Sequence, residues 1–151
     1  METKNIGLRN IPTADTKISL IDGEKGKLIY LGFDVLDLTK NSKYRAVNFN
    51  ESNLITCFSN DYGYKNWIKE VLNFYYDKWD VVILVSSSGN SENIVKAAKW
   101  CKQKKIKLIS LTGHKKNNAL NKINQNGISF WINNMSYNYV ETAHLFILLC
   151  L

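Results

Sequence analysis

Three continuous apolar runs in the second half of the chain constrain its fold more than any other feature. They cover residues 81–85, 106–111 and 128–132, and each is short and rich in β-branched side chains, as buried strands are. Segments with helical periodicity separate them, at about residues 91–104 and 117–124. Buried runs that alternate with helices are typical of a parallel sheet covered by helices on both faces. We therefore predict a three-layer α/β/α fold.

Further elements are predicted on either side of these runs. Residues 45–49 favour an edge strand, and a last helix is expected over about residues 138–151. Beyond His144 that helix is apolar on all sides, so we expect the core or another subunit to cover it. An amphipathic helix upstream of the first run is indicated by apolar residues at spacings of three and four, namely Tyr64, Trp67, Ile68, Val71, Leu72 and Tyr75.

The first 40 residues have a different pattern. Ile18 and Leu20 are expected to pair with Leu28 and Tyr30 across a turn rich in glycine, which predicts a β-hairpin. We therefore expect an N-terminal hairpin segment over residues 1–40, followed by the main domain.

The main domain is predicted over residues 44–151, after a polar junction at 39–43. The whole chain has 151 residues, of which 45% are hydrophobic, enough to close one core. Its three cysteines are widely spaced without a CxxC pair, which is typical of reduced thiols in a cytoplasmic protein. The sequence has neither a signal-like N-terminus nor an apolar run long enough to cross a bilayer, so we expect a soluble protein away from membranes.

The formal net charge of +7 comes mostly from lysines, which are densest between residues 99 and 116. Nucleic acid is one possible partner for such a surface. We favour a solvated helix face and helix C-terminus, where lysines also complement the helix dipole. A field of this sign also suits small anionic substrates, so the charge alone does not decide between these partners.

A serine-rich turn follows the first apolar run and leads directly into a helix. It contains Ser86, Ser87, Ser88 and Ser91, together with Gly89. The backbone N–H groups of a helix start are unpaired, and the helix dipole favours an anion there. Hydroxyls add donors without bulk, and the glycine allows close approach of the backbone. The carboxyl end of a parallel strand is also where open α/β sheets bind ligands. We therefore expect a phosphate at this turn.

The alternative is that these residues only cap the helix. Four serines within six positions weaken that interpretation. The sequence lacks the GK[ST] of a Walker loop and the GxGxxG of a dinucleotide site, so the signal is for a phosphate without a nucleotide.

With these motifs, the sequence resembles the sugar isomerase (SIS) domain of the phosphoheptose isomerase type. The resemblance covers about residues 44–151 and is carried by VSSSGNSENIVKA, LISLTG, ITCFSNDYG at 55–63 and YVETAH at 139–144. It implies a Rossmann-like parallel sheet that binds phosphosugars, usually in a tetramer with sites between subunits. By motif, the four serines would hold the phosphate. Asp61 would contact the sugar, unless it is a turn or cap residue beside Gly63. Glu141 stands where the family commonly has a glutamine that faces the site.

Part of the isomerase machinery is missing. Moving a proton between adjacent carbons needs a positioned base and an acid. The resembled isomerases supply them with a glutamate and a histidine, sometimes with zinc between them. The histidine position is Leu149 here, and the glutamate's helix with its Gly-Asn-Gly-Gly-Ser loop is absent from the sequence. We therefore expect an incomplete SIS fold and leave open whether the protein is an enzyme.

Glu141 and His144 are the remaining catalytic candidates, because residues three apart share a helix face, where a carboxylate can orient an imidazole. The alternative is that His144 packs or hydrogen-bonds near a subunit contact. His114 is expected to be exposed in a loop. The spacing of histidines and cysteines gives no metal site, so we expect neither a metal nor a cofactor.

Residues 8–38 resemble the N-terminal segment of bacterial citrate synthase. That segment lies far from the catalytic histidines and aspartate of citrate synthase, which have no counterparts in this chain. We expect no citrate synthase activity, and a structural appendage instead.

The expected function is phosphosugar binding, in a protein related to sedoheptulose 7-phosphate isomerase that forms a homodimer or tetramer. The alternative is a non-catalytic SIS module that binds a sugar phosphate or a partner protein. Nucleic-acid binding ranks last, because the sequence shows no interleaving of basic and aromatic residues of the type that stacks bases.

Overall fold

The predicted apolar runs form neighbouring strands of one parallel sheet. The computed structural model of the chain describes residues 28–31 and 45–150. Five strands pair in parallel in the order β2-β1-β3-β4-β5. They are β1 (Leu28–Leu31), β2 (Ala46–Asn48), β3 (Val81–Ser86), β4 (Lys107–Thr112) and β5 (Ile128–Trp131).

Five helices accompany the sheet in the described part of the chain. They are α1 (Ser52–Tyr62), α2 (Trp67–Tyr75), α3 (Glu92–Lys104), α4 (Ala119–Ile123) and α5 (Tyr137–Cys150). The last four confirm predicted helices. Helix α1 was not predicted, because none of its residues is buried and its polar residues obscure the helical period. None of the helices in residues 45–150 is long and apolar enough to cross a membrane.

Strand β3 lies at the centre of the core and is buried on both faces. Val82 and Leu84 belong to the larger apolar cluster, which also contains buried residues of α2, α3 and α4. Val81 and Ile83 belong to a second cluster with Leu148 of α5. Successive side chains of a strand point to opposite faces, so the continuous apolar run requires cover on both sides. The described helices provide it, which confirms the predicted α/β fold with helices on both sides of the sheet.

Strand β1 requires a correction to the predicted hairpin. The hairpin paired Leu28 and Tyr30 with Ile18 and Leu20. Instead, β1 pairs in parallel with β2 on one edge and with β3 on the other, with Ile29 opposite both Val47 and Val82. A strand has only two edges, and both are occupied by strands of the main domain. Residues 18 and 20 lie outside the described residues.

The strand order creates a switch point between β1 and β3. From β1 the chain proceeds outward to β2, whereas from β3 it proceeds in the other direction to β4 and β5. In open α/β sheets, ligands bind outside the carboxyl ends of the strands at such a point. The serine-rich turn follows β3 directly. The residues after β1, at 32–44, lie outside the described residues.

Because β1 is a central strand, truncating Ile29 should lower the stability of the fold substantially. Ile29 is fully buried, so Ile29→Ala should lower the free energy of unfolding by about 3 kcal/mol through lost transfer energy and a cavity. Val47, its half-buried neighbour on the edge strand, is the matched control and should lose about 1 kcal/mol as Val47→Ala. Urea unfolding measures both. Equal, small losses would contradict a central β1.

Candidate functional site

The serine turn connects the end of β3 to the start of α3, at the carboxyl edge of the sheet. Ser91 is the N-cap residue of α3, but its side chain makes no capping hydrogen bond. Its Oγ lies 3.3 Å from the Oγ of Ser86 instead. The first N–H groups of a helix have no intrahelical partner. In α3 the Ile94 N–H donates to Asn93 Oδ1 at 2.8 Å, and the Ser91 side chain leaves the remaining N–H groups of the first turn uncapped. The geometry counts against the interpretation in which Ser91 only caps the helix.

Two serines of the turn accept hydrogen bonds from backbone N–H groups. Gly89 N–H donates to Ser86 Oγ at 3.1 Å, and Asn90 N–H donates to Ser88 Oγ at 3.2 Å. A hydroxyl that accepts in this way keeps its own proton for donation. Such protons suit an anion, because oxygen acceptors of a phosphate take hydrogen bonds from hydroxyls and backbone amides alike.

The turn is packed closely against the segment that follows β4. Gly89 has a φ of +65°, which favours glycine, and a Cβ there would overlap the side chain of Asn118. A Cβ on Gly113 would overlap Val140, and the Gly113 N–H donates to the Ser87 carbonyl at 2.9 Å. The two glycines therefore let the serine turn, α4 and α5 approach one another.

A cleft of about 710 Å³ opens beside the serine turn. The structure brings six predicted site residues to its wall, namely Ser86, Ser87, Ser88, Ser91, Glu141 and His144. Residues 50, 64 and 65, which belong to other connections, also line it. The size is suitable for a small organic ligand, since ligand clefts commonly measure about 300–1,000 Å³.

Glu141 lies in the first half of α5 and is exposed within the cleft. Ser87 Oγ donates to its Oε1 at a distance of 3.4 Å. A second carboxylate, that of Glu92 in the first turn of α3, forms an ion pair with Lys96 at 3.5 Å. The two carboxylates can accept hydrogen bonds from hydroxyl groups, and Lys65 contributes positive charge to the cleft.

His144 is buried, with 2% of its surface exposed. Its Nε2 lies 3.1 Å from the Thr112 carbonyl oxygen, which can only accept, so Nε2 carries the proton. Its Nδ1 is buried without a hydrogen-bond partner among the described residues. Burial lowers the pKa of His144, against opposing contributions from the Thr112 carbonyl and the Glu141 charge. This histidine connects α5 to the end of β4 as a neutral group. The predicted acid/base role of Glu141 and His144 remains a prediction.

Asp61 does not reach the cleft. It lies exposed in the last turn of α1, where its Oδ1 accepts a hydrogen bond from the side chain of Asn60 at 3.3 Å. Its predicted contact with a sugar therefore remains a prediction, and within one chain this cleft does not supply it. The expectation for His114 was wrong, because its ring is half-buried and packs on Tyr137 with 4.7 Å between ring centroids.

Several polar cleft residues were not predicted, among them Asn50, Lys65 and Asn93. Asn50 follows β2 by two residues and so lies at the same sheet edge as the serine turn, a position that strand prediction could have flagged. Lys65 lies between α1 and α2, and Asn93 is buried in the first turn of α3. Neither of these two has a sequence signal that separates it from an ordinary surface or helix residue.

Among residues 28–31 and 45–150, no group of three histidine, cysteine, aspartate or glutamate side chains is placed to hold a metal ion. Three thiols are free in the same part of the chain, exposed at Cys57 and Cys150 and buried at Cys101. Burial raises the pKa of Cys101 to about 12. That thiol is therefore protonated at neutral pH and unsuited to nucleophilic chemistry.

The buried His144 predicts a pH dependence of stability. Its pKa is below the ordinary value of 6.5 in the folded state, so the unfolded chain binds a proton more readily. The resulting stability is fully present above pH 6.5 and is lost as the pH falls below it towards the folded pKa. Urea unfolding at pH 7.5 and pH 5.0 should show a larger loss for the wild type than for His144→Gln, which does not titrate. Equal losses would contradict the prediction.

Comparisons with known proteins agree with this geometry. The model of the SIS domain matches residues 38–113, which are 76 of the 151 residues. The phosphoheptose isomerase of Buchnera aphidicola subsp. Acyrthosiphon pisum (strain Tuc7) is 33% identical over 116 residues, covering 73% of this chain and 58% of that protein. Phosphoheptose isomerase 2 of Campylobacter jejuni subsp. jejuni is 44% identical over 63 residues, covering 42% of this chain and 31% of that protein. The chain thus spans less than two thirds of the length of these relatives.

A solved structure of phosphoheptose isomerase from Neisseria gonorrhoeae shares the fold, with a TM-score of 0.75 at 18% identity over 88% of this chain and 78% of that chain. The predicted resemblance to the SIS domain is confirmed, whereas that of residues 8–38 to citrate synthase remains a prediction. The chain belongs to the SIS-domain family and is related to phosphoheptose isomerases.

Proposed function

We propose that this protein binds a sugar phosphate, with the phosphate at the serine turn and the sugar in the cleft. The observation that carries the proposal is the start of α3, which the Ser91 side chain does not cap, beside four serines in one cleft. The named activity of its relatives, phosphoheptose isomerase, gives the substrate class, a ketose phosphate such as sedoheptulose 7-phosphate. Glu141 and the Lys65 side chain are positioned in the cleft to contact sugar hydroxyls.

Isomerisation is the reaction that follows from this relationship, with Glu141 as its base. The carboxylate is exposed in the cleft, whereas the available lone pair of His144 is on a buried atom. Binding without turnover is the second candidate function. It is favoured by Leu149, which occupies the position of the family's catalytic histidine.

We further propose that copies of the chain associate through α5 and work in the cytoplasm. Helix α5 buries only Val140, His144 and Leu148 within the described residues. Its exposed apolar side chains support association, namely Tyr137, Tyr139, Leu145, Phe146 and Leu149. The three free thiols support a reducing compartment.

Removing the serine hydroxyls should weaken sugar phosphate binding. Calorimetry with sedoheptulose 7-phosphate should show that a Ser86→Ala, Ser88→Ala double variant binds at least tenfold more weakly than the wild type, because each hydrogen bond to a charged group contributes about 1.5–3 kcal/mol. Ser136→Ala, an exposed serine outside the cleft, is the control. Absence of wild-type binding, or equal affinities, would contradict the proposal. Aldose formed by the wild type, and abolished in Glu141→Ala, would favour isomerisation over binding alone.

The Glu141 carboxylate should oppose binding of an isolated anion. Two unit charges about 4 Å apart repel by about 1 kcal/mol in water, so Glu141→Gln should tighten binding of inorganic phosphate up to about fivefold. The amide keeps the size of the side chain and an acceptor for the Ser87 hydroxyl. Phosphate titrations of both proteins at constant ionic strength measure the effect. Weaker binding by the glutamine variant would show that the carboxylate holds the ligand.

A further inference from the structure

Asn90 is exposed at the surface, yet its backbone N–H and both polar atoms of its side chain are engaged around the serine turn. Its backbone N–H donates to Ser88 Oγ at 3.2 Å, and its Nδ2 donates to the Ser88 carbonyl at 3.1 Å. Its Oδ1 accepts from the N–H of Ala119 at 3.0 Å. One side chain thus connects the middle of the serine turn to the start of α4.

These bonds help to hold the Ser88–Gly89 peptide in one orientation. Gly89 has a φ of +65°, and glycine populates positive and negative φ about equally, so the Ser88–Gly89 peptide has little intrinsic preference for one orientation. In the observed orientation, the Gly89 N–H donates to the Ser86 carbonyl at 3.0 Å and to Ser86 Oγ at 3.1 Å, and the Ser88 carbonyl accepts from Asn90 Nδ2. Asn90 is not among the residues that line the cleft, so the carbonyl is held by a group outside it.

A rotated peptide would bring the Ser88 carbonyl oxygen to the side now occupied by the Gly89 N–H, next to Ser86 in the cleft wall, and would remove the donor from the Ser86 carbonyl and Oγ. A carbonyl oxygen carries partial negative charge and cannot donate to a phosphate. The turn would then present an acceptor where an anion needs donors. Holding this peptide is therefore a condition for anion binding and is separate from folding of the chain.

The start of α4, to which Asn90 bonds, makes further hydrogen bonds of its own. Ala119 and Leu120 are the first residues of α4, whose N–H groups lack intrahelical partners. The first donates to Asn90 Oδ1 and the second donates to the Gly89 carbonyl at 2.9 Å. Asn118 caps α4 by accepting from the N–H of Asn121 at 2.9 Å. The start of α4 is thus used to hold the serine turn.

We propose that Asn90 is a positioning residue that holds the Ser88–Gly89 peptide in its anion-binding orientation and thereby sets the affinity of the serine turn for phosphate. The inference rests on the proposed function, because it concerns the same site. Asn90 reaches no ligand itself and acts through Ser88 and Gly89.

The test compares binding of inorganic phosphate by the full chain with its thermal stability. Asn90→Ala should bind phosphate about five- to tenfold more weakly, whereas its melting temperature should stay within about 2 °C of the wild type, since surface substitutions cost little stability. Asn90→Ser, too short to reach both partners, should show the same loss. Asn126→Ala makes the same chemical change at another exposed asparagine, outside the cleft, and should leave the affinity unchanged.

A second readout reports on the peptide itself. Amide hydrogen exchange at Gly89 and Ala119 should be faster in Asn90→Ala than in the wild type, and phosphate should slow it at Gly89 in both proteins. Equal phosphate affinity of the wild type and both Asn90 variants would overturn the inference. So would a loss of affinity that follows a matching loss of melting temperature. A wild type that binds no phosphate would overturn the proposed function, an outcome distinct from a failure of the Asn90 inference alone.

Discussion

Burial of β3 on both faces is the constraint on which the rest of this structure depends. Val81 to Leu84 are fully buried, and their alternate side chains need apolar cover on opposite sides of the sheet. Covering each buried aliphatic side chain contributes about 1.5–3 kcal/mol, so this strand strongly favours the layered arrangement. Once β3 is central and parallel to its neighbours, its carboxyl end and the serine turn must lie at the sheet edge where ligands bind.

The polar contacts around that edge explain why the turn keeps its shape. His144 fixes α5 to the end of β4 through the Thr112 carbonyl, and the next residue, Gly113, donates to Ser87. Asn90 connects the turn to α4 on the other side. The segment after β4 and the start of α4 therefore hold the turn from outside, in addition to the hydrogen bonds within it. A neutral, buried histidine suits this task, because protonation would place an unpaired charge in the core.

The sequence predicts the strands, most helices and the serine cluster, because periodicity and turn composition are local properties of the chain. It does not predict the partners of β1. Residues 28–31 follow a glycine-rich turn that favours a hairpin, whereas strand pairing depends on elements that are distant in sequence. For the same reason, the contacts of Asn90 with Ala119 and of His144 with Thr112 could not be derived from sequence spacing. By contrast, the spacing of three residues correctly predicts that Glu141 and His144 line the same cleft.

The switch point between β1 and β3 separates the two parts of the site that the resemblance implies, the phosphate turn and the base. A crevice at such a point is built by the residues that follow both strands. After β3 the chain supplies the serine turn, but after β1 the sequence continues with Gly32 and Phe33 and lacks the Gly-Asn-Gly-Gly-Ser loop that the resemblance implies. The proposed phosphate site thus lies on the β3 side of the switch point, whereas the sequence resemblance implies a base that follows an upstream loop absent from this chain. Anion binding needs donors around the phosphate, whereas proton transfer needs a base near the sugar carbons. Phosphate binding therefore depends on the residues after β3 and does not require the base.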